Sequence, residues 1–227
     1  MTGACSLLES VQRLLERTYR MRSGVTEIGR FVIGDAGLRF LYADRTIVPT
    51  VEASSPAGAK TLVRECEEGV HACIYYPDDL IASLEAHPPQ QGLTERNVDE
   101  FATLVEELDH LLVVAERAHQ GRPTSLFELE LHANISKHLV LARFLSRGGR
   151  PLGARRSTWL RYHLFHKAEH TSEDEGIEER YREASRWALR LLDAAAGQPL
   201  ARRMDVLRSF HAASAAGKLE LIRSLSS

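Results

Sequence analysis

The helix around Glu130 carries a polar stripe that could do chemistry. Glu130, Asn134 and Lys137 fall on one side of a helix whose other sides are apolar. A carboxylate, an amide and an ammonium in such a helix must pair with one another or with a neighbouring helix, or face a cleft. Two interpretations stay open: a buried polar network that fixes packing, or a pocket wall in which Glu130 acts and Lys137 stabilises developing negative charge.

A capping box precedes this stripe. Ser125 and Glu128 have the spacing in which Ser125 is the N-cap and Glu128 is the third helical residue. This role accounts for Glu128 without any chemistry. His132, four residues later, is then left without a partner for a metal site.

The preceding helix contains Glu107 and His110 as an ExxH pair, whose spacing projects a carboxylate and an imidazole from one helical face. Di-iron bundles use two such pairs on two helices. Here the second pair, Glu116 and His119, lies on the same helix about 180° away, so the two cannot serve one site. His110 and Glu106 share a side away from the main apolar face. The pattern predicts either a metal site or an acidic face in solvent.

A later helix carries a stripe of ring side chains, namely Trp159, His163, His166 and His170. Neutral imidazoles are common ligands of divalent transition metals. Two of them at HxxxH spacing, His166 and His170, could share such a metal, and Glu107 or His110 on a neighbouring helix could supply a third ligand. The alternative for His170 is structural, because an imidazolium near the end of a helix interacts well with its dipole.

Arginine is dense towards the C-terminal end, which raises the question of an anionic partner. Residues 1–142 contain 13 basic and 21 acidic side chains, whereas residues 143–227 contain 16 and 10. A basic surface with Trp159 or Tyr162 for stacking is typical of nucleic-acid binders. The overall pI of about 6.6 and the interleaved Glu and Arg residues over 178–190 favour a solvated helix face instead. A nucleic-acid partner is therefore a minor alternative.

Short elements fill the first ninety residues. Apolar periodicity and turn residues predict a helix over 5–20, strands over 28–33, 38–43 and 47–51, and a hairpin over 60–75 that turns at Gly69. The turn 34–37 would join the first two strands, and Pro49 would place the third at an edge. A short helix begins after Pro77, and the segment 87–92 closes this part of the chain.

The remainder of the chain has a helical pattern. Five helices are predicted, over about 97–119, 125–147, 157–170, 177–196 and 199–224. Their short connections favour an antiparallel bundle. The predicted fold class is therefore α+β and predominantly helical. A small α/β region over residues 1–90, with antiparallel hairpins, precedes a helical bundle over 91–227, and the two form one compact unit.

The composition is that of an ordinary globular protein, with 44% hydrophobic and 26% charged residues. No apolar stretch approaches the roughly 18 residues of a membrane span, and the N-terminal residues form an amphipathic helix rather than a signal peptide. Three cysteines without a CxxC motif lead us to expect a cytoplasmic protein with reduced thiols. Nucleotide-binding glycine motifs and the GxSxG motif are not found in the sequence.

Two segments resemble a group of hypothetical bacterial proteins: EELDHLL to SLFELELHANISKHLVL over residues 106–141, and RYREASRWALRLL over residues 180–192. The resemblance implies no activity, cofactor or partner. It does cover His110, Glu130 and Lys137, which periodicity had already selected.

Two functions from different classes follow. The first, which the incomplete metal motif favours, is a non-catalytic helical interaction or regulatory protein of the bacterial cytoplasm, with a protein partner or a second copy of itself. The second is a metal-dependent enzyme of the hydrolase type, with a divalent metal between bundle helices. Its ligands would be Glu107, His110 and Glu130, with His163 or His166. Convergence of these side chains in the folded chain discriminates between the two.

Overall fold

The helical content expected from the sequence dominates the structure, a computed structural model that describes residues 6–43, 51–54, 58–67, 69–146, 152–167 and 175–225. Helices occupy most of these residues, and a four-stranded sheet lies in the N-terminal part. The predicted α+β, predominantly helical class is confirmed. One hydrophobic core extends through both parts, from Val11 to Ile222.

The described residues form nine α-helices and four strands. The helices are α1 (Leu7–Tyr19), α2 (Asp35–Ala43), α3 (Asp78–Ala86), α4 (Val98–His119), α5 (Leu126–Leu145), α6 (Ala154–Arg161), α7 (Glu175–Ala196), α8 (Leu200–Ala212) and α9 (Ala215–Leu225). The strands are β1 (Val32–Ile33), β2 (Val51–Ser54), β3 (Lys60–Cys66) and β4 (Gly69–Tyr75). None of the described helices is long and apolar enough to cross a bilayer.

The sheet has the strand order β1-β4-β3-β2. β4 pairs antiparallel with β3, and β3 pairs antiparallel with β2. β1 is the parallel strand and contacts β4 through Val32 and Ile33. Gly69, the first residue of β4, has a φ of 136°, a conformation that favours glycine. The sheet packs against α4 through β3 and β4.

The strand predicted over 38–43 is wrong, and so is its hairpin through 34–37. This segment is helix α2, with Asp35 in the first turn at the positive end of the helix dipole. The backbone N–H of Asp35 donates to Oδ1 of Asp78 at 3.2 Å. A short apolar run fits the period of a strand and of a helix alike, so the pattern could not decide. Of the strand predicted over 47–51, only its last residue is described, and β2 begins there.

The helix predicted over 199–224 is two helices, so the described residues after 91 contain six α-helices and not five. Ala213, between α8 and α9, is extended with a ψ of 155°. Arg117 of α4 donates to the carbonyl of His211 at 2.8 Å, and Lys218 of α9 donates to that of Ala213 at 3.0 Å. These cations satisfy carbonyls that a continuous helix would bond internally.

Helix α4 is the central element. It packs against α5, the sheet, α1 and α3, and every residue from Thr103 to Val113 is buried. This buried stretch contains four ionisable side chains, Glu106, Glu107, Asp109 and His110. Burial of such groups is costly unless each is paired. The partners that they find on neighbouring elements define the candidate site.

Candidate metal centre

Three buried side chains from α4 and α5 converge. Glu106 and His110 are four residues apart on one face of α4, and Glu130 faces them from α5. One potential ligand atom from each lies within 4.8 Å of the other two. The exposed fractions of Glu106, His110 and Glu130 are 7%, 1% and 3%. Two carboxylates and an imidazole at this spacing could hold a metal ion.

The ion pairs within this group do not satisfy all its polar atoms. Nε2 of His110 lies 3.4 Å from Oε1 of Glu130. Among the described residues, Nδ1 of His110 and Oε2 of Glu130 have no hydrogen-bonding partner. Buried polar atoms without a partner are uncommon in folded proteins. The unpartnered atoms therefore indicate where a ligand would add the largest stabilisation.

The charge of His110 is stabilised by its carboxylate neighbours. Burial alone would lower the pKa of His110, but the hydrogen bond and charge of Glu130, together with Glu107 and Glu106, raise it to about 9. The imidazole is thus protonated at neutral pH in the metal-free protein. A metal ion bound to either ring nitrogen would have to replace the proton on that nitrogen.

Glu107 contacts strand β3 and is not in the converging group. Its Oε2 accepts a hydrogen bond from Oγ1 of Thr61 at 2.7 Å, and its Oε1 has no partner among the described residues. Burial raises the pKa of Glu107 to about 8, with Glu106 and Glu130 adding to the effect and His110 opposing it. Glu107 is therefore a neutral carboxyl beside the site at pH 7. Glu106, one residue earlier, is the member of the converging group instead.

The polar side chains of the α5 stripe pair with residues on two neighbouring helices. Lys137 pairs with Glu106 of α4, with Nζ 3.0 Å from Oε1. Asn134 donates to Oγ of Ser185 on α7 at 3.5 Å. Tyr181 of α7 forms a side-chain hydrogen bond with Glu130, and burial with the nearby carboxylates raises the pKa of this tyrosine far above its usual value. The site thus lies where α4, α5 and α7 meet.

The predicted ligands His163 and His166 do not join His110. His163 lies between two acidic side chains, with Nε2 3.0 Å from Oε1 of Glu95 and Nδ1 3.5 Å from Oδ1 of Asp99. His166 is exposed. His170 is outside the described residues. A metal site that combines His110 with His163 or His166 is therefore not formed.

A π-helical turn explains why the histidine stripe is not continuous. Residues Tyr162–His166 form this turn, and the N–H of Lys167 donates to the carbonyl of Tyr162 at 2.7 Å. Each π turn contains one residue more than an α turn, so the side chains that follow are rotated around the axis. The regular helical spacing assumed for this stripe is therefore interrupted within the turn, which contains His163 and His166.

A second buried network, which sequence reasoning missed, lies on another side of α4. Nδ1 of His132 is 2.7 Å from Oδ2 of Asp109, and Nε2 of His132 is 3.0 Å from Nδ1 of His211. Nε2 of His211 is 2.6 Å from Oε2 of Glu116. We call these four residues the Asp–His–His–Glu relay. It connects α4, α5 and α8 through the core.

The remaining oxygens of the relay are also bonded. Oγ of Ser136 donates to Oδ1 of Asp109 at 2.7 Å, and the backbone N–H of Arg22 donates to Oε1 of Glu116 at 2.6 Å. The ring of Tyr19 lies against that of His132, with centroids 4.4 Å apart. Every ring nitrogen and carboxylate oxygen of the relay has a partner. The relay is therefore saturated and offers no free atom to a metal.

The hydrogen bonds of the relay limit how its protons are distributed. Its three hydrogen bonds need three protons, and two neutral imidazoles with two ionised carboxylates supply two. The relay as a whole therefore holds one proton more than this set. Burial and the adjacent His132 lower the pKa of His211 to about 4, so His211 is neutral at pH 7. Burial opposes ionisation of Asp109, but His132 and Ser136 lower its pKa.

One signal of the relay was present in the sequence. Asp109 and Glu116 are seven residues apart, which places them on one face of a helix. The imidazoles that join them come from α5 and α8, and His211 is 79 residues from His132. Nothing in the periodicity of one helix identifies a contact over that separation.

The donor set of the converging group suits a divalent transition metal. Carboxylate oxygens and an imidazole nitrogen are ligands of Zn²⁺, Mn²⁺ and Fe²⁺. Comparison with protein-family models, curated proteins and solved structures finds no match to this chain.

Proposed function

We propose that the protein binds a divalent transition-metal ion through Glu106, His110 and Glu130. The observation that carries this proposal is the convergence of three buried ligand atoms within 4.8 Å, from two adjacent helices. Unpartnered atoms on two of the three residues support it further. Zn²⁺, Mn²⁺ and Fe²⁺ match this mixture of oxygen and nitrogen ligands.

The charge distribution also supports a cation site. Glu106, Glu107 and Glu130 are close enough that the charges of Glu106 and Glu130 add to the effect of burial on the pKa of Glu107. Glu130 lies beside the imidazolium of His110, and Glu106 lies beside the ammonium of Lys137. A divalent metal ion that replaces a proton of His110 would compensate the negative charge of the carboxylates at a shorter distance than the imidazolium or the ammonium does.

Titration calorimetry of the metal-free full chain with Zn²⁺ and with Mn²⁺ tests the proposal. We expect one ion per chain for at least one metal, and a dissociation constant at least tenfold higher for Glu130→Gln. Glu128→Gln is a matched control, because Glu128 is a buried carboxylate of the same helix that pairs with Lys218 instead, with Nζ 2.9 Å from Oε1. Absence of binding to the wild type, or equal affinity in Glu130→Gln, would overturn the proposal.

A metal-dependent hydrolase is the more specific version of this function. Catalytic zinc sites commonly have three protein ligands and a water, whereas structural sites have four. The group found here supplies three. The ammonium of Lys137 lies beside Glu106 and could stabilise negative charge that develops on a substrate. Ester and phosphoester hydrolysis by the metal-loaded wild type, and its loss in Glu130→Gln, would be the observation in its favour.

The non-catalytic interaction function stays a prediction, and one surface feature favours it. Helix α2 has no buried residue, and Phe40 is 75% exposed on it. Tyr42 of the same helix is 46% exposed. Exposed aromatic side chains are enriched where proteins bind other proteins. An interaction through α2 is compatible with a metal site at α4 and α5, because the two use different residues.

A further inference from the structure

Lys137 occupies an unusual position at the proposed metal site. Its ammonium lies 3.0 Å from Oε1 of Glu106, one of the three ligand side chains. It belongs to α5, seven residues after Glu130, so the helix places both on one face. The site therefore already contains a cation at the carboxylate that a metal would bind.

The surroundings of Lys137 differ from those of the other site residues. The side chains of Lys137 and Glu106 are 12% and 9% exposed, whereas those of His110 and Glu130 are 1% and 4% exposed. Glu106 and Lys137 thus lie on the solvent side of the site. A lysine ammonium is a compact charge on a flexible four-carbon stem, which can move into water without a change in the backbone.

A metal and the ammonium cannot both bind Glu106 favourably. Two cations at one carboxylate repel each other, and burial increases the repulsion because water screens it less. The ammonium also occupies Oε1, one of the two oxygens through which Glu106 could coordinate an ion. The ion pair with Lys137 therefore opposes metal binding.

We propose that Lys137 is an internal competitor of the metal: its ammonium closes the site in the metal-free protein and swings out to solvent when an ion binds. This inference rests on the proposed metal-binding function. The competition weakens the metal affinity and makes the bound ion easier to release. A site of this kind suits an ion that is exchanged rather than one held permanently for structure.

Substitution of Lys137 tests the competition directly. We expect Lys137→Met and Lys137→Gln to bind Zn²⁺ or Mn²⁺ at least tenfold more tightly than the wild type in titration calorimetry. Lys137→Arg keeps the positive charge at Glu106 and should bind no more tightly than the wild type. The two neutral variants differ in polarity, so agreement between them excludes an effect of packing alone.

A matched control uses the other buried lysine, Lys218, which pairs with Glu128 outside the site. Lys218→Met removes an ammonium from a buried glutamate in the same way, but its metal affinity should equal that of the wild type. Melting temperatures without metal confirm that each variant is folded before its titration.

The outcomes separate the two proposals. Metal binding by the wild type with equal or weaker binding by both neutral variants overturns the role of Lys137 and leaves the metal site intact. Tighter binding by Lys218→Met as well would also overturn it, because the effect would then be nonspecific. Absence of binding in the wild type overturns the metal-binding function itself, and the competition with it.

Discussion

Ionisable side chains in the middle of α4 are accommodated in two different ways. Asp109 belongs to the relay, in which both of its oxygens are bonded. His110, the next residue, keeps a buried nitrogen without a partner among the described residues. A saturated network stabilises a fold, whereas an unsaturated one has atoms left for a ligand. Adjacent residues of one helix therefore have different roles.

The relay should contribute strongly to stability through His132. We expect His132→Ala to lower the free energy of unfolding by about 3–5 kcal/mol, because it leaves the buried carboxylate of Asp109 without its imidazole partner. Urea denaturation at pH 7 measures the change. His166→Ala is the control, since His166 is exposed, and it should change stability by less than about 0.5 kcal/mol. A loss below about 1 kcal/mol for His132→Ala would contradict the role of the relay.

At the residue scale, the sequence could predict which side chains need partners but not which partners they find. Periodicity selected His110, Glu130 and Lys137, and all three lie in the same polar network. Glu106, which connects Lys137 to that network, was seen only as sharing a side of the helix with His110. The pairing depends on the rotation of α5 against α4, and this rotation is set by the packing of many apolar side chains at once.

Helix α5 carries two of the site residues, so its N-terminus matters for their position. The predicted capping box is confirmed: the N–H of Glu128 donates to Oγ of Ser125 at 3.2 Å, and the Glu128 side chain bonds back to the N–H of Ser125. Oε1 of Glu128 also accepts a hydrogen bond from Nζ of Lys218 on α9 at 2.9 Å. The cap thus fixes the start of α5 and its contact with the C-terminal helix.

Removal of the cap hydroxyl should destabilise the helix and leave the metal ligands in place. We expect Ser125→Ala to lower the free energy of unfolding by about 1 kcal/mol, because the N–H of Glu128 loses its acceptor. Thermal unfolding followed by circular dichroism measures this. Ser209→Ala, at an exposed position of α8, should change stability by less than about 0.5 kcal/mol. Equal stability of the two variants would show that the cap contributes nothing.

At the element scale, long helices were predictable and short elements were not. The helix predicted over 97–119 is α4, which begins at Val98 and ends at His119. Its bounds were predictable because 22 residues provide six turns of apolar periodicity. Helix α2 has nine residues, and its apolar run is too short to separate a helical from a strand period. The α8–α9 break was not visible either, because it depends on Arg117 and Lys218 from other parts of the fold.

Four buried or partly buried groups make the stability of the whole molecule depend on pH in opposite directions. Burial lowers the pKa of His138 and of His211 to about 4. The unfolded chain binds these protons below about pH 6.5, so stability is lost as the pH falls from that value towards 4. Carboxylate neighbours raise the pKa of His110 against burial to about 9, and burial raises that of Glu107 to about 8. The folded state keeps these two protons longer, so stability is lost as the pH rises through 8 and 9.

The metal-free protein should therefore be most stable near pH 6.5 and lose stability on both sides. Below this pH the loss of stability from His138 and His211 outweighs the opposite contribution of Glu107. Each proton by which the unfolded and folded states differ changes stability by at most about 1.4 kcal/mol per pH unit. Urea denaturation from pH 4.5 to 9 in the presence of a chelator measures the profile. Glu107→Gln should flatten the alkaline decline, because an amide keeps its hydrogens at every pH in this range, whereas His138→Leu should flatten the acidic one. A stability that rises continuously from pH 6.5 to 9 would show that His110 and Glu107 do not retain their protons in the fold, and that the carboxylates around Glu130 are less buried than the structure describes.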